Sequence, residues 1–141
     1  MRINHILICA DHYPTKDDPI FTFVEQAVIA FARLGVCVTV VAPQSLTKHF
    51  FRKVPLHPRY RKILNENGSV IEIFQPYKIT LGNRFPKINS FFNQISLHNA
   101  LKNVNSIPQV CYGHFWHSAI SLYDYAYQNR IPLFVASGEA S

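Results

Sequence analysis

At 141 residues the chain is the size of one compact domain with a genuine core, and its 48% hydrophobic and 16% charged residues exclude a disordered polyelectrolyte. Lysine and arginine outnumber aspartate and glutamate by 14 to 8, giving a net charge of +6 that favours anionic partners and equally fits an ordinary basic surface. No apolar run approaches the roughly 20 residues of a bilayer span, and the run Ile6 to Ala10 is too short for a secretory leader, so a cytoplasmic protein is expected, with a peripheral seat on the inner face of the membrane as its closest approach to lipid.

Residues 3–10 are almost continuously apolar or β-branched, as a strand buried on both faces requires. Residues 11–19 read as a loop with two prolines, three aspartates and no glycine. A dinucleotide site needs Gly-x-Gly-x-x-Gly at this point, so that backbone can approach a pyrophosphate at the helix start; a nicotinamide or flavin site is therefore rejected. Asp11, Asp17 and Asp18 could form a magnesium or phosphoacceptor cluster, but turn-forming aspartates beside prolines are the commoner reading.

Apolar residues at 21, 24, 28 and 31 predict a helix over 20–34, closed by Gly35. Residues 36–42 follow as a second strand stopped by Pro43, and strand, helix and strand in succession predict parallel pairing. Residues 44–68 read as a long loop at the sheet edge. They carry Lys48, Arg52, Lys53, Arg59, Arg61 and Lys62, with Phe50, Phe51 and Tyr60 interleaved. Such a loop is either simply solvated or a contact for an anionic membrane surface or a phosphate-bearing ligand. Nucleic acid is not expected, because no binding module accompanies the basic residues.

Residues 69–74 alternate as a third strand, 77–87 read as another loop, and Ile88, Phe91, Phe92, Ile95 and Leu101 predict an amphipathic helix ending near 104. Gln109 to His114 then run as a buried strand into a loop holding Trp116 and His117, followed by a helix through Ala119, Leu122 and Ala126 and a last strand over 133–136. This alternation predicts an α/β fold, a doubly wound, mostly parallel Rossmann-like sheet with helices on both faces, formed as a single domain over 1–141. Ligands of such sheets sit in the crevice outside the carboxyl ends of the strands.

Cys111, His114 and His117 are spaced by threes, which would align them on a helix but points neighbours to opposite faces of a strand, so no metal is expected. A histidine at a strand's carboxyl end either binds a ligand and handles a proton or only caps local backbone; both readings stand for His114. Cys9, Cys37 and Cys111 fall in apolar segments and read as reduced, packed thiols. Ser137-Gly138 lacks the Gly-x-Ser-x-Gly of a nucleophile elbow.

The run Tyr13 to Ala27, with its prolines, Phe21 and Glu25-Gln26, followed by Leu34-Gly35 and the valine-rich segment ending in Pro43, resembles the opening of family-four glycosyltransferases of the GT-B type. The strand at Tyr112 and His114 resembles their His-x-His strand, with Tyr112 at the first histidine and His114 at the second. Ile131 to Gly138 resembles their strand ending in His-Gly, with Ser137 in place of the histidine; Pro19-Ile20 stands where a glycine is common. The resemblance implies the amino-terminal, acceptor-binding half of a two-domain enzyme whose carboxyl-terminal nucleotide-sugar domain is absent from these 141 residues, and so inactive alone. It implies glycosyl transfer from a nucleotide-sugar to a saccharide or lipid-linked acceptor, with no metal or other cofactor. It places His114 as the catalytic candidate and Phe21, Thr22, Ser137, Gly138 and Glu139 on the substrate wall. The competing reading is a stand-alone flavodoxin-like binding or regulatory module with its site at Asp11 and the loop after the first strand.

Overall fold

A computed structural model describes residues 2–14, 22–104 and 106–136. Eight strands and four helices follow in the order β1 (His5–Cys9), α1 (Thr22–Arg33), β2 (Cys37–Val41), β3 (Gln44–Ser45), α2 (Leu46–Arg52), β4 (Tyr60–Leu64), β5 (Val70–Phe74), β6 (Tyr77–Lys78), α3 (Pro86–Leu101), β7 (Val110–His114), α4 (Trp116–Gln128) and β8 (Leu133–Ala136). Six of the strands form one sheet in the order β4-β5-β2-β1-β7-β8. All its neighbours are parallel except β4, which runs antiparallel to β5.

The chain moves outward from β1 through β2 to β5, then returns to place β7 on the other side of β1. Successive residues of β1 face opposite ways, so two cores grow from one strand. Ile6 and Ile8 join Val38, Val40, Ile71 and Ile73 under α1, whose buried stripe is Val24, Val28 and Ala32. Leu7 and Cys9 join Cys111 under Leu97 and Leu101 of α3 and Leu122 and Ala126 of α4. Helices therefore cover both faces. Gly35 at φ +85° turns the chain out of α1 and donates its N–H to the Ala32 carbonyl, the left-handed stop that glycine adopts without steric cost.

Three expectations need correction. Residues 44–68 are not one irregular loop: they hold the seven-residue α2 and the edge strand β4. The short pairing of β3 with β6, Gln44 with Tyr77 and Ser45 with Lys78, also gives structure to the expected loop over 77–87. In α3 the stripe Ile88, Phe91 and Ile95 is exposed, and the buried positions are Ser96, Leu97, Ala100 and Leu101, because only the carboxyl half of that helix lies against the sheet core. No helix among the described residues is long and apolar enough to cross a membrane.

Candidate functional site

The carboxyl ends of β1 and β7 lie side by side in the sheet, Cys9 opposite Gly113, and the residues that follow them, Asp11, His12 and Phe115 to His117, come to one rim. The β7–α4 junction is tight. A Cβ on Gly113 would sit 2.4 Å from the Ala119 Cα, so the first turn of α4 presses directly on the strand and position 113 admits nothing larger than glycine. Phe115, which follows His114, has φ 69° and ψ 160°, backbone that side-chain-bearing residues rarely adopt. Its N–H is held by the Ala136 carbonyl at 3.0 Å, and its carbonyl accepts from Ala119. Strain of this kind persists only where the surroundings over-determine it.

His114 is half-buried against aromatic rings: its centroid is 4.4 Å from Phe115 and 4.7 Å from Phe23 in the first turn of α1. It shares a hydrogen bond of 3.2 Å between its Nδ1 and the Tyr112 hydroxyl. Burial lowers its pKa from the ordinary 6.5, opposed by the nearby Asp11 carboxylate, so its ring is neutral at pH 7. Where the Tyr112 hydroxyl donates to Nδ1, the ring proton sits on Nε2; in the other tautomer Nδ1 donates to Tyr112. Thr22 opens α1 on this rim and is exposed. Phe21, Ser137, Gly138 and Glu139 lie outside the described residues, as do Asp17 and Asp18.

His117 pairs with Asp11 through Nε2, joining α4 to the end of β1. The three residues of the metal reading separate: Cys111 is buried under α3 and α4 with burial pushing its thiol up to about 12, His114 packs on Phe23, and His117 is held by Asp11. No group of three or more potential ligands that could hold a metal occurs among the described residues.

The six basic candidates do not form one patch. Lys48 and Arg52 of α2 line a cleft of about 790 Å³ together with Asp11, His12, Lys78 and His117. Lys53 ends α2 in the left-handed conformation, φ 55°. Arg59 lies over the Tyr77 ring at 5.3 Å beside a separate cavity lined by residues of α3. Arg61 lies over Tyr13 at 5.3 Å and donates to the Gln75 side-chain oxygen at 2.8 Å, while Lys62 stands exposed on the edge strand opposite Glu72.

Lys78, His57 and the cleft itself escaped the sequence. What joins them is non-local. Gln44 donates to the carbonyls of His57 and Gln75 and accepts from the His57 N–H, each at 2.8 Å, fixing the chain after α2 to the end of β5. Compared with protein-family models and with curated proteins, the chain finds no match.

Proposed function

We propose that this chain is the acceptor-side half of a GT-B glycosyltransferase, a doubly wound Rossmann-like domain that faces a nucleotide-sugar domain across a cleft and is inactive without it. The observation that carries the reading is the reversal of strand order at β1: β2 and β5 lie to one side, β7 and β8 to the other, and the loops after β1 and β7 diverge there. Open parallel sheets bind ligands at such a point. The resemblance of the Tyr112–His114 strand and of the 13–43 segment to family-four enzymes supplies the chemistry, and the exposed Thr22, the half-buried neutral His114 and Phe23 share this rim.

In the assembled enzyme His114 presents Nε2 to a hydroxyl of the transferred sugar or of the acceptor. Its hydrogen bond to Tyr112 and its packing between Phe23 and Phe115 fix the ring before substrate arrives. A saccharide or lipid-linked acceptor is the partner, and the cytoplasmic face of a membrane is the setting that suits a lipid-linked one.

The test uses the protein encoded by the full reading frame to which these residues belong. Incubated with a panel of nucleotide-sugars and a membrane extract as acceptor source, it releases nucleoside diphosphate only when acceptor is present. No release from any donor overturns the assignment and leaves the flavodoxin-like binding module, whose site would centre on the Asp11–His117 pair after β1.

A further inference from the structure

We propose that the cleft between α2 and the carboxyl ends of β1 and β6 is a binding site for a phosphate group. It is built from two walls. One carries Lys48 and Arg52 of α2 with Lys78 of β6; the other carries Asp11, His12 and His117. The pairing of Ser45 with Lys78 sets the cation wall, because Ser45 also caps α2 by accepting from the Lys48 N–H at 3.2 Å. A second tie, 2.5 Å between the Ser45 and Thr80 hydroxyls, holds the same two segments together. Two residues of pairing thus bring cations 30 positions apart in sequence to one cavity.

The charge in the cleft is unbalanced. Lys48, Arg52 and Lys78 face the single carboxylate that Asp11 contributes among the described lining residues, and Asp11 is already engaged by His117. Lys78 is the best positioned of the three. Its ammonium donates to the Asn93 side-chain oxygen at 3.0 Å, which leaves two further N–H donors. Burial lowers its pKa, Asp11 opposes that and Lys48 adds to it; three cations against one carboxylate leave the lining short of negative charge. A phosphate supplies that charge, with several acceptor oxygens for the Arg52 fork and the two ammonium groups. The volume of about 790 Å³ lies within the range of small-molecule sites, so the phosphate can arrive attached to a larger group.

Two sources of that phosphate fit. A soluble phosphoester would lie wholly within the cleft. A lipid headgroup would bring acyl chains, and an adjoining cavity of about 470 Å³ that shares Lys48, Arg52, Asn83 and Asn89 is also lined by Phe51, which is 84% exposed like its neighbour Phe50 at 73%.

Calorimetric titration of the chain with inorganic pyrophosphate at low salt tests the site, with sedimentation on phosphatidylcholine vesicles doped with phosphatidic acid as a second arm. Saturable binding in either arm is expected. Arg52→Gln, which alters an exposed side chain, and Lys78→Met, which keeps the bulk of the partly buried one, each weaken it by roughly tenfold or more, the scale of one charge-assisted hydrogen bond. Lys102→Gln, just past the end of α3 and outside the cleft, leaves it unchanged. Vesicle retention that pyrophosphate displaces identifies a lipid-borne phosphate; pyrophosphate binding without retention identifies a soluble one. Binding in neither arm, binding that Arg52→Gln leaves intact, or equal weakening by Lys102→Gln overturns the proposal. The outcomes separate from those of glycosyl transfer: a protein that binds pyrophosphate here and transfers no sugar keeps the site and loses the transferase reading, and the converse result does the opposite.

Discussion

At the scale of single residues, two positions carry the geometry of the β7–α4 junction. Gly113 has the Ala119 backbone where a Cβ would stand, at 2.4 and 2.5 Å, so Gly113→Ala must push α4 off the strand. A destabilisation of about 1–3 kcal/mol is expected from such overpacking, measured as a lowered urea midpoint with an unchanged slope. Phe115 makes the opposite prediction about a glycine. At φ 69° and ψ 160° its backbone favours glycine, so Phe115→Gly should be more stable than Phe115→Ala by about 1 kcal/mol, although both lose the ring. At ordinary backbone angles the order reverses, and alanine more stable than glycine here would show that the junction carries no strain. Neither feature was legible as such. In the sequence Gly113 reads only as one residue of the strand, whereas its role is close approach; nothing in the phenylalanine announces a positive φ. His114 was legible as the residue at the strand's carboxyl end, because strand alternation and the glycine together placed it there.

Among the elements, those with long buried runs could be read directly and those without could not. β1 and β2 are continuous apolar segments, and their register, His5 with Cys37 through Cys9 with Val41, follows from both faces being covered. β4 has the sequence Tyr-Arg-Lys-Ile-Leu, is mostly exposed, and pairs on one side only, so it shows neither a buried run nor a clean alternation. Its cations suit an edge strand, where charge discourages pairing with another chain. α2 was hidden for a related reason: it buries no residue, and it ends on Lys53 in the left-handed conformation instead of a glycine. What holds this part of the chain is a polar network centred on buried Gln75, whose side chain lies 3.1 Å from the His57 ring and accepts from Arg61. Gln44→Ala removes three hydrogen bonds from that network and leaves the His57 N–H without the Gln44 oxygen. A loss of about 1–3 kcal/mol is expected by urea unfolding, with faster hydrogen exchange confined to residues 54–59; a uniform change across the sheet would show that Gln44 is not a local tie.

For the molecule as a whole, stability depends on pH through histidines whose pKa burial lowers. Burial lowers the pKa of His5, opposed by Glu72, and His5 lies 2.7 Å from the Thr39 hydroxyl; burial lowers that of His114 as well. A histidine whose folded pKa lies below its unfolded 6.5 stabilises the fold fully above that pH. As pH falls, the unfolded chain binds the proton first, and the contribution is lost on the way down through the folded value. The urea midpoint should therefore fall as the solution is acidified below 6.5, and His5→Gln should make that fall shallower; a midpoint that rises on acidification would contradict the sign. The mostly parallel pairing of the strands was readable because strand and helix alternate so regularly. The cleft was not, since it depends on a two-residue pairing between β3 and β6 that no local pattern marks. The proposed transferase role of the rim where β1 and β7 end is measured most directly as sugar transfer by the protein of the full reading frame carrying His114→Ala, with the fold checked by its unfolding midpoint. With His114 in the proposed role, kcat falls by about 10²-fold or more, the scale of a positioned proton-handling group, while the midpoint holds. An unchanged kcat in a folded variant would remove His114 from the chemistry and overturn its proposed role.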